Sequence, residues 1–306
     1  MAETMYEVGR GVTICAETFG DPSDPPVLLI MGLGMQMVRW HETFVEQLTS
    51  RGFSVIRFDN RDSGLSTFCS DVPLPTLRQL MRRRFDPRQY KLTDMARDTA
   101  GLIDALGLDT VHVVGASMGG MIAQTVAAEH PRRVRSLTSI MSNTGSRWSG
   151  QPALKSYPIL LGRAPPPELD AYLARQIAVH KTIGSPGLPG DDPLFVEISR
   201  RSFERNSDPR GTARQLAAIL ASGDRTRQLR TISAPTLVIH GDSDRLVNLS
   251  GGRATARAIP GAELHIVRGM GHDLPAQDWP EVIGSIAHHI RSVETGRDRP
   301  RGRATA

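Results

Sequence analysis

The sequence predicts an α/β domain, a mostly parallel central sheet with helices on both faces, interrupted by an inserted helical cap. Three observations lead there. Short β-branched or alternating runs take turns with amphipathic stretches of helical length, the pattern of parallel strands joined by crossover helices. Two runs, Val27-Leu28-Leu29-Ile30 and Leu237-Val238-Ile239, are apolar throughout, as strands buried on both faces should be. From about residue 145 to 230 the alternation stops: no convincing strand is present, and prolines (Pro165, Pro166, Pro167, Pro186, Pro189, Pro193) punctuate helical stretches.

In chain order, strands are expected at 12–18, 27–30, 55–58, 111–114, 134–141, 236–240 and 262–267, with helices at 40–50, 92–106, 118–129 and 279–290. A smaller excursion, 70–90, carries the amphipathic piece Leu77-Arg78-Gln79-Leu80-Met81-Arg82. The insertion supplies helices at 169–179, 194–203 and 212–221. The expected division is therefore a core of 1–144 and 231–292, a cap of 145–230, and a disordered Arg-rich tail of 293–306. A cap of this kind sits over the carboxyl ends of the strands, where open α/β sheets bind ligands.

The strand at 111–114 runs into Gly115-Ala116-Ser117-Met118-Gly119, and a helix-favouring stretch follows at once. Strand, sharp turn and helix in that order give the Gly-x-Ser-x-Gly motif its meaning; the pentapeptide alone is weak evidence. The turn lifts Ser117 Oγ above the sheet and aims free helix N–H groups at whatever the serine attacks. A serine needs a base, and the base an orienting carboxylate, in the chain order Ser, acid, His. His240-Gly241-Asp242-Ser243-Asp244 ends one late strand and Arg268-Gly269-Met270-Gly271-His272 follows another. Among nine histidines, His272 alone combines a strand end, a glycine-flanked loop and the right order. His112, His240 and His265 lie within strands, His288 and His289 late in a helix, and His41 opens a helix beside the first loop, where it could line the mouth of the site. Asp244 is preferred as the acid; Asp242, nearer the strand, suits a turn-closing hydrogen bond. The oxyanion would be met by the N–H of Met118 and by Leu33 N–H in the loop Met31-Gly32-Leu33-Gly34-Met35.

Four stretches in this order resemble the α/β-hydrolase fold over about residues 6–290: the 31–35 loop, Asp59-Asn60-Arg61-Asp62-Ser63-Gly64-Leu65-Ser66, the serine elbow, and the Asp244 and His272 loops. The Met-Gly start of the first loop and Arg61-Asp62-Ser63-Gly64-Leu65-Ser66-Thr67 are similar to the aclacinomycin methylesterase-like branch, polyketide-tailoring esterases. Many members have His-Gly where this chain has Met31-Gly32. The resemblance implies a serine triad and no cofactor; Asp59 and Arg61 are read as structural. Dehalogenases and epoxide hydrolases of the fold carry Asp at the elbow, where this chain has Ser117.

Composition bounds the rest. With 39% hydrophobic and 23% charged residues, 306 positions describe a soluble globular protein with a sizeable core. No apolar run spans a membrane, and the acidic start Met1-Ala2-Glu3 lacks a secretory signal, so a cytoplasmic location and no membrane insertion are expected. Cys15 and Cys69 read as reduced thiols. The net charge of +5 comes almost wholly from arginine. Arg82-Arg83-Arg84 with Arg88, and Arg297, Arg299, Arg301 and Arg303, form clusters without the aromatic interleaving of a nucleic-acid surface; a solvated face and a frayed tail are expected, and no nucleic-acid partner. Methionines near the motif loops (31, 35, 37, 118, 121, 141, 270) would give an adaptable apolar wall or pack the core beneath; Gly32, Gly34, Met35 and Met270 are the expected substrate contacts. The expected partner is a moderately large hydrophobic ester, methyl ester or lactone, with an oligomer left open. A C–C bond hydrolase or cofactor-free perhydrolase would use the same triad, and a non-catalytic ligand receptor could share the fold.

Overall fold

A computed structural model describes residues 2–156, 166–189 and 192–296. Pro165 and the Arg-rich stretch from Arg297 lie outside these residues. Eight strands form one sheet: β1 (Thr4–Glu7), β2 (Thr13–Phe19), β3 (Pro26–Ile30), β4 (Ser54–Phe58), β5 (Val111–Ala116), β6 (Val134–Ile140), β7 (Thr236–Gly241) and β8 (Glu263–Val267). Their order is β1-β2-β4-β3-β5-β6-β7-β8. β2 runs antiparallel to both its neighbours and every pair from β4 onward is parallel. Among the described residues the helices are α1 (Glu42–Thr49), α2 (Leu77–Arg82), α3 (Leu92–Ala105), α4 (Met118–Glu129), α5 (Leu169–Ile183), α6 (Pro193–Arg205), α7 (Pro209–Ser222), α8 (Thr226–Leu229), α9 (Ser250–Ala258) and α10 (Trp279–Glu294).

The run of four apolar residues in β3 is explained by its two faces. Leu28 and Ile30 pack with Met95 and Leu102 of α3 and Ile122 and Val126 of α4. Val27 and Leu29 pack on the opposite face with Phe44 and Leu48 of α1 and Val282 and Ile286 of α10. Each such side chain contributes roughly 1.5–3 kcal/mol by leaving water. The sheet is thus a middle layer whose strand ends are held still on both sides, which is the rigidity a site at those ends needs.

β1, α8 and α9 go beyond the sequence reading. β1 is a four-residue edge strand, mostly exposed, with no apolar alternation to reveal it. α9 carries Gly251 and Gly252 in its first turn, a composition that argues against helix until packing is known. α10 continues to Glu294, so residues 293–294 are helical where tail was expected. Residues 37–39 form a short 3-10 turn before α1, and α1 itself begins only after His41.

The insertion between β6 and β7 contributes α5 to α8 and is fastened to the core largely by buried polar bonds. Arg214 of α7 grips Asp62 with two bonds, 2.9 and 2.6 Å. Gln215 accepts the Gly34 N–H at 2.8 Å and donates to the Arg61 carbonyl at 2.7 Å. Arg205 of α6 reaches Asp59 at 2.8 Å. Arg214 and Asp62 have side chains 4% and 0% exposed, so removing either partner would strand a buried charge, at a cost of roughly 3–5 kcal/mol. Among the described residues, no helix is long and apolar enough to cross a membrane.

Candidate active site

β5 delivers Ser117 to the carboxyl edge of the sheet in a conformation that side chains rarely adopt, φ 56°, ψ −120°. The turn is this tight because the strand and α4 nearly touch. A Cβ on Gly115 would lie 2.2 Å from the Gly119 carbonyl oxygen, and one on Gly119 would lie 2.1 Å from that of Ile30. No side chain fits at either place. Ser117 N–H donates to the Ile140 carbonyl at 2.9 Å, which fixes the elbow to β6.

Ser117 Oγ lies 2.9 Å from His272 Nε2, and His272 Nδ1 lies 2.7 Å from Asp244 Oδ2. The other oxygen of Asp244 accepts the N–H groups of Leu246 and Val247, each at 2.8 Å. Its side chain is fully buried and that of His272 is 7% exposed. A carboxylate can only accept, so the Nδ1 proton belongs to His272 and Nε2 is left to accept from the serine hydroxyl. Asp242 is exposed and, rather than closing its own turn, accepts Gly269 N–H from the loop after β8 at 2.8 Å.

Met118 is the first residue of α4, so its N–H has no acceptor within the helix. Gly32 abuts Ser117: a Cβ there would lie 3.1 Å from Ser117 Cβ and 3.6 Å from Oγ. The loop holding it is tied from several sides. Asn60 Nδ2 donates to the Met31 carbonyl at 2.9 Å, Met35 N–H to the Gly32 carbonyl at 3.2 Å, and Ser63 Oγ to the Met35 carbonyl at 2.8 Å. Those bonds leave the half-buried Leu33 with its N–H unclaimed by any described residue, on the stretch beside Ser117. Asp59 accepts Met37 N–H at 2.7 Å and Leu65 N–H at 3.1 Å, and Arg61 forms a two-pronged pair with Asp98 at 2.5 Å. The 59–66 stretch therefore braces the neighbouring loop and the insertion.

The remaining expected substrate contacts divide. Met35 is half-buried at the loop. Gly34 faces the insertion, where a Cβ would strike Thr212 Oγ1 at 2.5 Å. Met270 is wholly buried among Val267, Trp279 and Val282, which gives it a packing role where the sequence suggested a cleft wall. Met31, Met37, Met118, Met121 and Met141 are buried as well, so the core alternative holds for them. His41 does not open onto a mouth. It caps α1 by accepting Thr43 N–H and stacks on Trp279 with ring centres 5.8 Å apart.

Sequence reasoning missed how the His272 loop is held. Its backbone N–H donates to the Ile183 carbonyl at 2.8 Å, and Gly271 N–H donates to Ser185 Oγ at 2.9 Å, both at the end of α5. Asp273 accepts from Ser185 Oγ at 2.6 Å and lies 3.2 Å from His180 Nε2. Burial alone would raise the Asp273 carboxyl, but bonds from His180 and Ser185 outweigh it and hold the group below the usual carboxylate range. The one signal in the sequence was an aspartate directly after the histidine. Beside Asp244, His240 Nε2 meets the Val247 carbonyl at 2.7 Å, and burial lowers the pKa of that imidazole. His112 is likewise buried between Ser136 and Glu294, and burial, opposed by Glu294, takes it down to about 4. Burial also raises both thiols, Cys15 to about 12 and Cys69 to about 11. A cavity of about 560 Å³ opens beside Pro152, Pro186, Asp244, Arg245 and Asn248. Among the described residues, no cluster of three or more histidine, cysteine or acidic side chains could hold a metal ion.

Residues 25–278 match the family described as alpha/beta hydrolase fold. Rhodomycin D methylesterase of Streptomyces peucetius is 27% identical over 302 residues, covering 92% of this chain and 96% of that protein. A 2-hydroxy-6-oxononadienedioate/2-hydroxy-6-oxononatrienedioate hydrolase of Dechloromonas aromatica is 32% identical over 184 residues, covering 58% of this chain and 61% of its own. Among solved structures, the enol-lactonase of Burkholderia xenovorans superposes with a TM-score of 0.73 at 21% identity, covering 94% of this chain and 99% of that one. At that identity the likeness speaks for the fold alone.

Proposed function

The chain belongs to the α/β-hydrolase fold family, and from that premise we propose that it is a serine hydrolase that cleaves carboxylic esters through an acyl-enzyme on Ser117. The observation carrying this is the unbroken hydrogen-bonded line from Ser117 Oγ through His272 to Asp244. Ser117 Oγ attacks the ester carbonyl carbon while His272 Nε2 takes its proton. The negative charge that forms on the carbonyl oxygen is met by the N–H groups of Met118 and Leu33. His272 then gives its proton to the departing alcohol, leaving the acyl group on Ser117. Water, deprotonated by the same nitrogen, attacks the acyl carbon; the acid leaves and the serine regains its proton. Asp244 holds His272 in the productive tautomer and stabilises the imidazolium.

The substrate class is a moderately large hydrophobic ester, with methyl esters and lactones included. Similarity to rhodomycin D methylesterase along nearly the whole chain supports it. Ser117→Ala should abolish turnover of a chromogenic short-chain ester with thermal unfolding unchanged; retained turnover would remove Ser117 from the chemistry. A C–C bond hydrolase with the same triad is the second reading, favoured by the dienedioate hydrolase relative. Product analysis on matched ester and 1,3-diketone substrates separates the two.

A further inference from the structure

Between β4 and α3 the chain forms a surface that the site does not use. α2 is six residues long and buries none of them, although its ends are well made: Thr76 and Gln79 cap it reciprocally and Arg83 closes it at φ 50°. Leu77 and Met81 are four apart, hence neighbours on one side of the helix, and they are 62% and 72% exposed. Leu74, just ahead, is 46% exposed. Arg82 and Arg84 flank this strip and are exposed, with Arg83 half-buried. The nearby Arg88 is neutralised by Asp86 at 3.1 Å. Arg82, Arg83 and Arg84 have no carboxylate partner among the described residues.

A second segment approaches this surface through Arg147. Beyond β6, Ser142 lies against the first turn after the nucleophile, where a Cβ on Gly120 would meet Ser142 Cβ at 2.7 Å. The chain that leaves this edge carries Arg147 and Trp148, both exposed. Arg147 comes close enough to Arg83 to repel it; desolvation first and Arg147 second hold the Arg83 guanidinium below its ordinary range. Trp148 is 95% exposed, whereas Trp40 and Trp279 are 1% and 7% exposed. A bare indole next to Arg147, which faces Arg83 at the end of a helix bearing exposed leucine and methionine, is the informative kind of surface.

The chemistry selects the occupant. Guanidinium groups pair with lipid phosphates, indole rings settle at headgroup depth, and leucine and methionine enter the acyl boundary. A nucleic-acid backbone would engage the arginines but leave Leu77 and Met81 in water. We propose that Leu77, Met81 and Trp148, together with Arg82, Arg83 and Arg147, dock the protein peripherally on anionic phospholipid membranes. The surface leaves from the same sheet edge as Ser117, so docking would present the site to esters dissolved in the bilayer. Binding itself is independent of the esterase chemistry.

The test uses the full chain with vesicles of phosphatidylcholine containing phosphatidylglycerol, and with phosphatidylcholine alone, at low salt. The protein should co-float with the anionic vesicles only, and Trp148 emission should shift to the blue and be quenched by lipids brominated on the acyl chains. Arg82→Gln with Arg83→Gln should weaken vesicle binding about 25-fold, taking about fivefold per arginine. Leu77→Ser with Met81→Ser should weaken binding further at raised salt, and Trp148→Ser should abolish the quenching. Turnover of a soluble short ester should be unchanged in every variant, which also certifies their folding. Failure to float, flotation without quenching, or vesicle binding indifferent to these substitutions would overturn the proposal. So would short duplex DNA bound more tightly than the vesicles, or a self-association in solution that the same substitutions dissolve.

Discussion

Replacing Asp244 by Asn tests the site at its most constrained atom. Oδ1 of Asp244 accepts two backbone N–H groups at 2.8 Å, and Oδ2 faces His272 Nδ1 at 2.7 Å. The amide therefore has only one comfortable orientation, with its oxygen toward Leu246 and Val247. The reverse would push NH₂ against two donors and leave them unsatisfied in a buried site, at roughly 1–3 kcal/mol each. In the favoured orientation the amide nitrogen points at Nδ1 and donates to it. His272 is then forced to carry its proton on Nε2, where it can no longer accept from Ser117. The loss should approach that of a wrong-tautomer triad, on the order of 10⁴ in kcat, or about 5.5 kcal/mol. Because the tautomer matters in the transition state, kcat and kcat/KM should fall together with KM little changed. Steady-state kinetics on a chromogenic short-chain ester, beside thermal unfolding, reads this directly. A folded Asp244→Asn variant keeping more than about a tenth of wild-type kcat would refute the reasoning.

Two further substitutions probe the supports. Gly119→Ala would place a Cβ 2.1 Å from the Ile30 carbonyl oxygen, and backbone cannot move aside as a flexible side chain would. Urea unfolding should show a loss of about 3 kcal/mol or more, and an unchanged midpoint would mean that the elbow is looser than described. Asp273→Asn should cost about 2 kcal/mol near neutral pH by weakening the bonds that join the His272 loop to α5. The folded carboxyl is held low, so this contribution is complete above the ordinary carboxylate pKa of about 4 and is lost as pH falls through the lower folded value. The stability gap between wild type and variant should therefore close on acidification from pH 5 to pH 3; a gap that widened there would reverse the assignment.

The parts of the fold that were legible in the sequence are those where local pattern and burial agree. The runs Val27–Ile30 in β3 and Leu237–Ile239 in β7 are apolar throughout because both faces are covered, and Ser117, Asp244 and His272 each stand just past a strand end, where chain order alone suggests a meeting. The supports were hidden for a different reason. Asp62 and Arg214 are 152 positions apart and Gly34 and Gln215 are 181 apart; nothing in the local composition of either partner marks the pairing. Asp273 and Ser185 are similar: two ordinary polar residues become a clasp only once α5 is laid beside the His272 loop. Met270 misled because its neighbours, Gly269 and Gly271, mark a loop, whereas its own side chain turns down into the core. Arg82, Arg83 and Arg84 could be counted in the sequence, but Arg147, the neighbour of Trp148, meets Arg83 only through the fold.

The most direct measurement of the central claim is covalent capture of the nucleophile. Treated with a serine-directed phosphonate, the folded protein should take up one equivalent, located by peptide mass spectrometry on Ser117, with loss of ester turnover in the same proportion. Label on another residue, or full loss of turnover with Ser117 unmodified, would contradict the acyl-enzyme account.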